Sequence, residues 1–276
     1  MSVPRSVRRS LCVALCLSFF AAPGVFAQAQ TAAPGEFAPQ VGQEGKDVVW
    51  VPTPQALVDT MLDMAQVTPQ DFVMDLGSGD GRTVITAAKR GATAMGIEYN
   101  PDMVALSKVN AAKAGVADKA TFVQADLFQT DYSKATVITM FLLTSINMKL
   151  RPVLLDLKPG TRIVSNSFGM GTWDPDESRT VSKDCTSWCT AMLWIIPAKV
   201  EGTWRSAAGD LTLKQDFQKV SGTLGSTQIT DARLRGDQIT FKAGDAEYQG
   251  RVNGNAIAGT VKAKGSSSNW SADRGK

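Results

Sequence analysis

Phe72-Val73-Met74-Asp75-Leu76-Gly77-Ser78-Gly79-Asp80-Gly81-Arg82 is the stretch that decides the fold. Three apolar residues form a buried strand. An acid follows, and then glycines at alternate positions, which let the backbone turn sharply and let a ligand approach its amides. A helix opens at Arg82 and runs to residue 90, with Gly91 at its C-terminal cap. Upstream, 54–66 reads as a helix with Leu57, Met61 and Met64 on one face. Downstream come a strand at 94–97, a helix capped by Asn100 with Pro101 in its first turn and Gly115 at its end, and a strand at 121–123. The β-branched apolar run 135–143 has no alternation, as expected when both sheet faces are covered. A helix over 145–157, broken or kinked at Pro152, and strands at 161–165 and 191–196 complete the pattern. Strand-helix-strand repetition implies an α/β fold with a mostly parallel sheet and right-handed crossovers.

Three acids end three successive strands. Asp75 leads the glycine turn, Glu98 closes the second strand, and Asp126, in Ala125-Asp126-Leu127-Phe128, follows the third. Open α/β sheets bind ligands at these carboxyl ends. An acid at the place of Glu98 can accept both hydroxyls of a ribose, and Asp126 can accept the exocyclic amino group of an adenine. The turn differs from the dinucleotide G-x-G-x-x-G pattern, and Asp75 and Asp80 would repel a pyrophosphate. A cationic ligand without phosphate is favoured. S-adenosylmethionine, with a sulfonium, an ammonium, a ribose and an adenine, has that chemistry.

On Asp75-x-Gly77-x-Gly79-x-Gly81, Glu98 and Asp126, residues 49–197 resemble the class I, seven-strand methyltransferases. The resemblance implies a Rossmann-like, doubly wound, mostly parallel seven-strand sheet, with S-adenosylmethionine as cofactor. It implies a donor site of Asp75, Gly77, Ser78, Gly79, Gly81, Glu98, Tyr99, Asp126 and Leu127. Val51-Pro52-Thr53-Pro54, the run 75–82, Gly96-Ile97-Glu98-Tyr99-Asn100-Pro101 and Asp126-Leu127-Phe128 look like the mitochondrial lysine methyltransferases acting on the ATP synthase c subunit and the adenine nucleotide translocase. Arg162-Ile163-Val164-Ser165 is also similar to the non-SET histone lysine methyltransferases. That branch implies N-methylation of a protein lysine by in-line transfer. The protein then mainly positions two reactants and excludes water, and an apolar channel favours the neutral amine. Two alternatives stand beside it: a small-molecule acceptor, or a catalytically silent binding protein of the cell envelope with this fold.

Phe141-Leu142-Leu143-Thr144-Ser145-Ile146-Asn147, after the fourth strand, departs from one pattern. It lacks the Asn/Asp-Pro-Pro-aromatic motif that holds the planar nitrogen of a base or a glutamine side chain, which argues against those substrates. Thr144, Ser145 and Asn147 lie near the expected transfer point. They could touch substrate, or Thr144 or Ser145 could cap the helix. Tyr99 and Trp173 could line the site or belong to the core. No residue is named as a general base.

The 276 residues are 43% hydrophobic and 20% charged, an ordinary globular composition. There is no histidine, which excludes Ser-His-Asp and Cys-His catalysis and histidine-based metal sites. Residues 1–27 carry Arg5, Arg8 and Arg9 and no acid, followed by an apolar run and small residues at Val25-Phe26-Ala27 and Ala27-Gln28-Ala29. This has the three parts of a signal peptide. Arg8-Arg9-Ser10-Leu11 incompletely matches a twin-arginine signal. Export to the periplasm is the expectation. A membrane anchor through an uncleaved leader, or an organelle presequence, is the alternative, and membrane association would require the leader to be retained. Without the leader, 26 of the 29 basic residues remain against 26 acids, so no basic nucleic-acid surface is expected. Residues 28–48, rich in Ala, Gln, Gly and Pro, read as a flexible lead-in.

Cys12 and Cys16 fall in the leader. Cys185 and Cys189 alone cannot complete a zinc site, so no metal is expected. They could close a small disulfide loop or remain two free thiols. From about Pro197-Ala198 onward the pattern changes. Residues 198–276 hold 11 of the 24 glycines and show short alternating strands at 200–205, 210–217, 219–224, 227–234, 238–242, 247–252, 256–262 and 268–272. An antiparallel barrel or sandwich is expected. Arg235-Gly236-Asp237 and Asn253-Gly254-Asn255 read as hairpin turns, and Trp204 and Trp270 would sit on neighbouring strands if the meander closes.

Overall fold

Five strands run parallel because a crossover joins each to the next. The computed structural model describes Ser2 and residues 37–274; the leader, Cys12 and Cys16, and positions 28–36 of the lead-in lie outside the described residues. Helix α1 (Gln55–Met64) precedes β1 (Phe72–Leu76). Then follow α2 (Arg82–Lys89), β2 (Thr93–Glu98), α3 (Pro101–Lys113), β3 (Ala120–Gln124), β4 (Val137–Met140), α4 (Thr144–Leu154) and β5 (Arg162–Asn166). Two further strands, β6 (Glu177–Thr180) and β7 (Thr190–Ile195), extend the sheet, with β7 antiparallel to both neighbours. The order is β3-β2-β1-β4-β5-β7-β6. The chain winds outward from β1 to β3 and then returns to place β4 on the other side of β1. At such a switch point the two loops diverge and leave a crevice.

Alternate side chains of β1 serve two cores. Val73 faces a layer with Leu57, Val58 and Met61 of α1 and Val84 of α2, while Met74 and Leu76 face Ile146, Leu150 and Leu154 of α4. All four residues of β4 are buried, which agrees with the absence of alternation there. The strand is shorter than the apolar run 135–143, because Phe141 onward leaves the ladder to enter α4. Pro152 neither breaks nor ends that helix, which continues through it to Leu154. Strand β6 was not expected from sequence: Glu177-Ser178-Arg179-Thr180 is polar and lies at an exposed sheet edge, where no apolar signal is needed.

The remaining chain forms a closed eight-strand antiparallel barrel, which resolves the barrel-or-sandwich expectation. Its strands are β8 (Gly202–Ser206), β9 (Gly209–Asp216), β10 (Lys219–Leu224), β11 (Thr227–Arg235), β12 (Gln238–Ala243), β13 (Ala246–Asn253), β14 (Ala256–Ala263) and β15 (Ser266–Asp273). Alternate inward residues, among them Trp204, Leu211, Leu213, Leu234, Ile239 and Ile257, fill it. The first strand pairs with the last at Ala272–Ser206 and Asp273–Arg205. Trp204 and Trp270 therefore lie on neighbouring strands.

Residues 37–274 fall in one compact unit, and two barrel turns hold the barrel to the sheet. At the β9–β10 turn, Phe217 stacks on Trp173 at 5.4 Å, and Trp173 Nε1 donates to Gln218 Oε1 at 2.9 Å. At the β11–β12 turn, Gly236 O accepts from Ala198 N, and Gly160 packs against Gly236 so closely that a side chain at 236 would meet its backbone at 3.0 Å. Arg235-Gly236-Asp237 is thus a hairpin turn pressed against the sheet.

Candidate active site

The crevice above β1, β2 and β4 encloses about 1020 Å³ of empty space, part of it open to solvent. Asp75, Gly77, Ser78, Gly79, Glu98, Tyr99, Asp126 and Leu127 all line it. Gly77 N and Ser78 N both donate to Ile97 O, which folds the glycine turn over β2. Gly79 N then donates to Glu98 Oε2 at 2.9 Å, and Asn100 N to Glu98 Oε1 at 3.0 Å. From the other side, α3 anchors the turn through Ser107 Oγ to Gly79 O and Asn110 Nδ2 to Asp80 O. Asn100 caps α3 as its sequence context implied, accepting from Asp102 N and Met103 N. Gly81, the last residue of the motif, is not in the cleft wall. It takes a left-handed φ of 83° at the start of α2, with the Phe122 ring 2.8 Å from where a side chain would begin. Its role is the turn and the packing behind it.

Burial sets the charge state of the floor. Asp75 is 6% exposed, and its carboxyl is pushed up to about 7. Desolvation is the main cause and the nearby Glu98 and Asp80 carboxylates add to it, against a 2.6 Å hydrogen bond donated by Thr139. Asp126 is held below the usual carboxylate range, first by the Lys46 ammonium and then by the Phe128 amide. Asp80 is tied into a forked ion pair with Arg82, whose guanidinium also donates to Thr53 O. The hydroxyl of Ser78, buried against Gly96 behind the turn, has no hydrogen-bond partner among the described residues.

The described part of the lead-in has no helix or strand, yet it forms one wall of the crevice. Gly42 N donates to Trp50 O and Trp50 N to Gln43 O, closing a loop. The Trp50 indole covers Gly79 so tightly that no side chain would fit there. Lys46 Nζ meets Asp126 Oδ2 at 2.6 Å and lies over the Tyr99 ring at 4.9 Å. Sequence reasoning did not find this strap. Its only local signals were Trp50 and the charges around Lys46, and its partners are distant in the chain.

Three residues expected near substrate are placed elsewhere. Thr144 opens α4 at the surface, outside the cleft wall. Asn147 is fully buried and donates to Phe168 O and Gly169 O, bracing the loop after β5. Trp173 is 1% exposed and is spent on the barrel junction. The capping expectation is also corrected: Leu143 is the N-cap of α4, with no side-chain cap bond. Phe141 and Leu142, which sequence treated as strand, do line the crevice. The cysteine alternatives are resolved, since Cys185 and Cys189 are joined.

Sheet order, glycine turn and strand-end acids together define the class I S-adenosylmethionine-dependent methyltransferase fold. The residues present fit that cofactor: Glu98 and Asp126 line the crevice at the strand ends, and the glycine turn admits close approach. A model of the ANTKMT methyltransferase domain matches residues 75–177. A protein-lysine N-methyltransferase of Saccharolobus islandicus is 47% identical over 133 residues, which is 47% of this chain and 83% of that protein. The adenine nucleotide translocase lysine N-methyltransferase of Mus musculus is 35% identical over 120 residues, 43% of this chain and 52% of the relative. This chain therefore spans only about half of that mouse protein. A crystal structure of an RNA methyltransferase from Salinibacter ruber, in complex with S-adenosyl-L-homocysteine, superposes with a TM-score of 0.51 at 49% identity, covering 54% of this chain and 96% of that one. The chain belongs to the class I S-adenosylmethionine-dependent methyltransferases, in the family of the Saccharolobus protein, and its residues 75–177 match the ANTKMT methyltransferase domain.

Proposed function

We propose that the enzyme methylates the side-chain amine of a lysine in a protein. The observation that carries this reading is the 47% identity to a protein-lysine N-methyltransferase, most of whose length this chain spans. The crevice supports it. Beyond β4 the wall is Phe141 and Leu142 rather than a motif for a planar nitrogen. Bound S-adenosylmethionine supplies the electrophilic methyl group. On the chain's side, Glu98 would take the ribose hydroxyls, Asp126 the adenine amine, and Asp75 would set the negative potential beneath a cation. The apolar wall keeps water out and favours the neutral amine over the ammonium, so no basic residue has to be supplied.

The same reading divides the chain into a signal peptide at 1–27, a lead-in at 28–48, a methyltransferase domain at 49–197 and a β domain at 198–276. It places the mature protein in the periplasm. The Cys185–Cys189 bond supports an oxidising compartment. The donor is made in the cytoplasm, so export of a folded, donor-loaded protein would reconcile site and location. Among the described residues, no helix is long and apolar enough to cross a membrane.

Incubating the enzyme with methyl-tritiated donor and fractionated envelope protein, RNA and small molecules tests the acceptor. Nε-methyl-lysine in the protein hydrolysate is expected. Label confined to RNA or to the small-molecule fraction would overturn the reading.

A further inference from the structure

Phe141 has two sides. One lines the crevice; the other meets an aromatic pair that the donor site does not use. Phe168, in the loop after β5, stacks on Phe141 at 6.0 Å and 28°, and Trp188 tilts against it at 6.0 Å and 59°. Phe168 is locked in place, because its carbonyl accepts from Ser165 Oγ at 2.7 Å and from Asn147 Nδ2 at 3.0 Å. Trp188 is 48% exposed, with part of its indole open to solvent beside Phe141. It lies inside the five-residue loop closed by Cys185 and Cys189, whose far end is fixed by Val181 N donating to Cys189 O. A covalent loop thus holds an exposed indole beside the crevice.

A second observation lies in the same corner. Asn147 and Asn166 are both fully buried, and the side-chain oxygen of each has no hydrogen-bond partner among the described residues. Asn166 Nδ2 approaches Thr53 Oγ1 of the crevice wall at 3.4 Å. Both oxygens are sealed inside the fold and neither side chain lines the crevice, so these asparagines hold the loop behind the aromatic cluster through their amide nitrogens.

We propose that Phe141, Phe168 and Trp188 form the acceptor's entry, where ring faces receive an alkylammonium side chain and its methylated products, with the Cys185–Cys189 loop positioning Trp188. Ring faces attract the cation without fixing its proton, whereas a carboxylate there would favour the ammonium and oppose attack. This deepens, and rests on, the lysine reading.

The test uses the full, disulfide-intact chain loaded with S-adenosylhomocysteine. The probe is Nα-acetyl-Nε,Nε,Nε-trimethyl-lysine amide, observed by saturation-transfer NMR, with its neutral tert-butyl analogue alongside. Binding of the cationic probe is expected to weaken by about five-fold or more in Trp188→Ala and to be retained in Trp188→Tyr. Donor titration should be equal in all three proteins, which shows that each is folded. Unchanged probe binding in Trp188→Ala, or equal binding of the neutral analogue, would overturn the proposal. The acceptor assay separates the two ideas. A chain that methylates lysine but ignores the probe loses only the aromatic entry. A chain that binds the probe through Trp188 but methylates a non-protein amine loses only the lysine reading.

Discussion

Asp75 carries the clearest consequence at the scale of one residue. Its carboxyl is raised from 3.8 to about 7, so near neutrality part of the population holds a proton. A cationic donor favours the ionised form. Donor affinity is therefore expected to climb between roughly pH 6 and 8, with proton release on binding, and Asp75→Asn should flatten both. Calorimetry in buffers of different ionisation enthalpy reads the proton count. The same shift acts on stability. Between about pH 4 and 7 the folded chain keeps a proton that the unfolded chain has lost, so this residue's contribution to stability falls as pH rises through that window. Asp75, Glu98 and Asp126 were legible in the sequence because each follows an apolar strand signal. Lys46 and Asn166 were not. Lys46 meets Asp126 across 80 positions, and Asn166 meets Thr53 across 113; no local pattern encodes either.

At the scale of elements, the strap over the crevice is the feature that changes the picture of binding. Lys46 occupies the carboxylate that an adenine amine would use. Lys46→Met is expected to bind donor more tightly than the wild-type chain at low ionic strength, with the difference shrinking as salt screens the pair. Weaker binding by the variant would instead make Lys46 a donor contact. Apolar pattern exposed the buried strands and helices well, since β1, β2 and β4 are largely apolar, β5 has Ile163 and Val164 at its centre, and α3 carries its own cap. It failed at β6, an exposed polar edge, and at the end of β4, where Phe141 continues the apolar run while the backbone turns away. It also failed at the strap, which takes its shape from contacts with Gly79 and Asp126 rather than from regular backbone bonds.

Across the whole molecule, the barrel is tied to the sheet through Trp173, which is sealed between Trp194 and Phe217. Trp173→Ala should cost about 3–5 kcal/mol in urea unfolding while leaving donor affinity unchanged. A loss of affinity without loss of stability would return Trp173 to the site. The eight barrel strands could be counted in advance from alternation and turn glycines. Which turns dock on the sheet could not, because docking depends on shape at two distant tips, Phe217–Gln218 and Gly236.

The direct trial of the strand-tip acids is calorimetric titration of the full chain with S-adenosylmethionine, wild type against Glu98→Ala. Binding on the order of micromolar in the wild type, abolished in the variant, is the expected result. No heat at millimolar donor, or equal affinity in the two proteins, would contradict it.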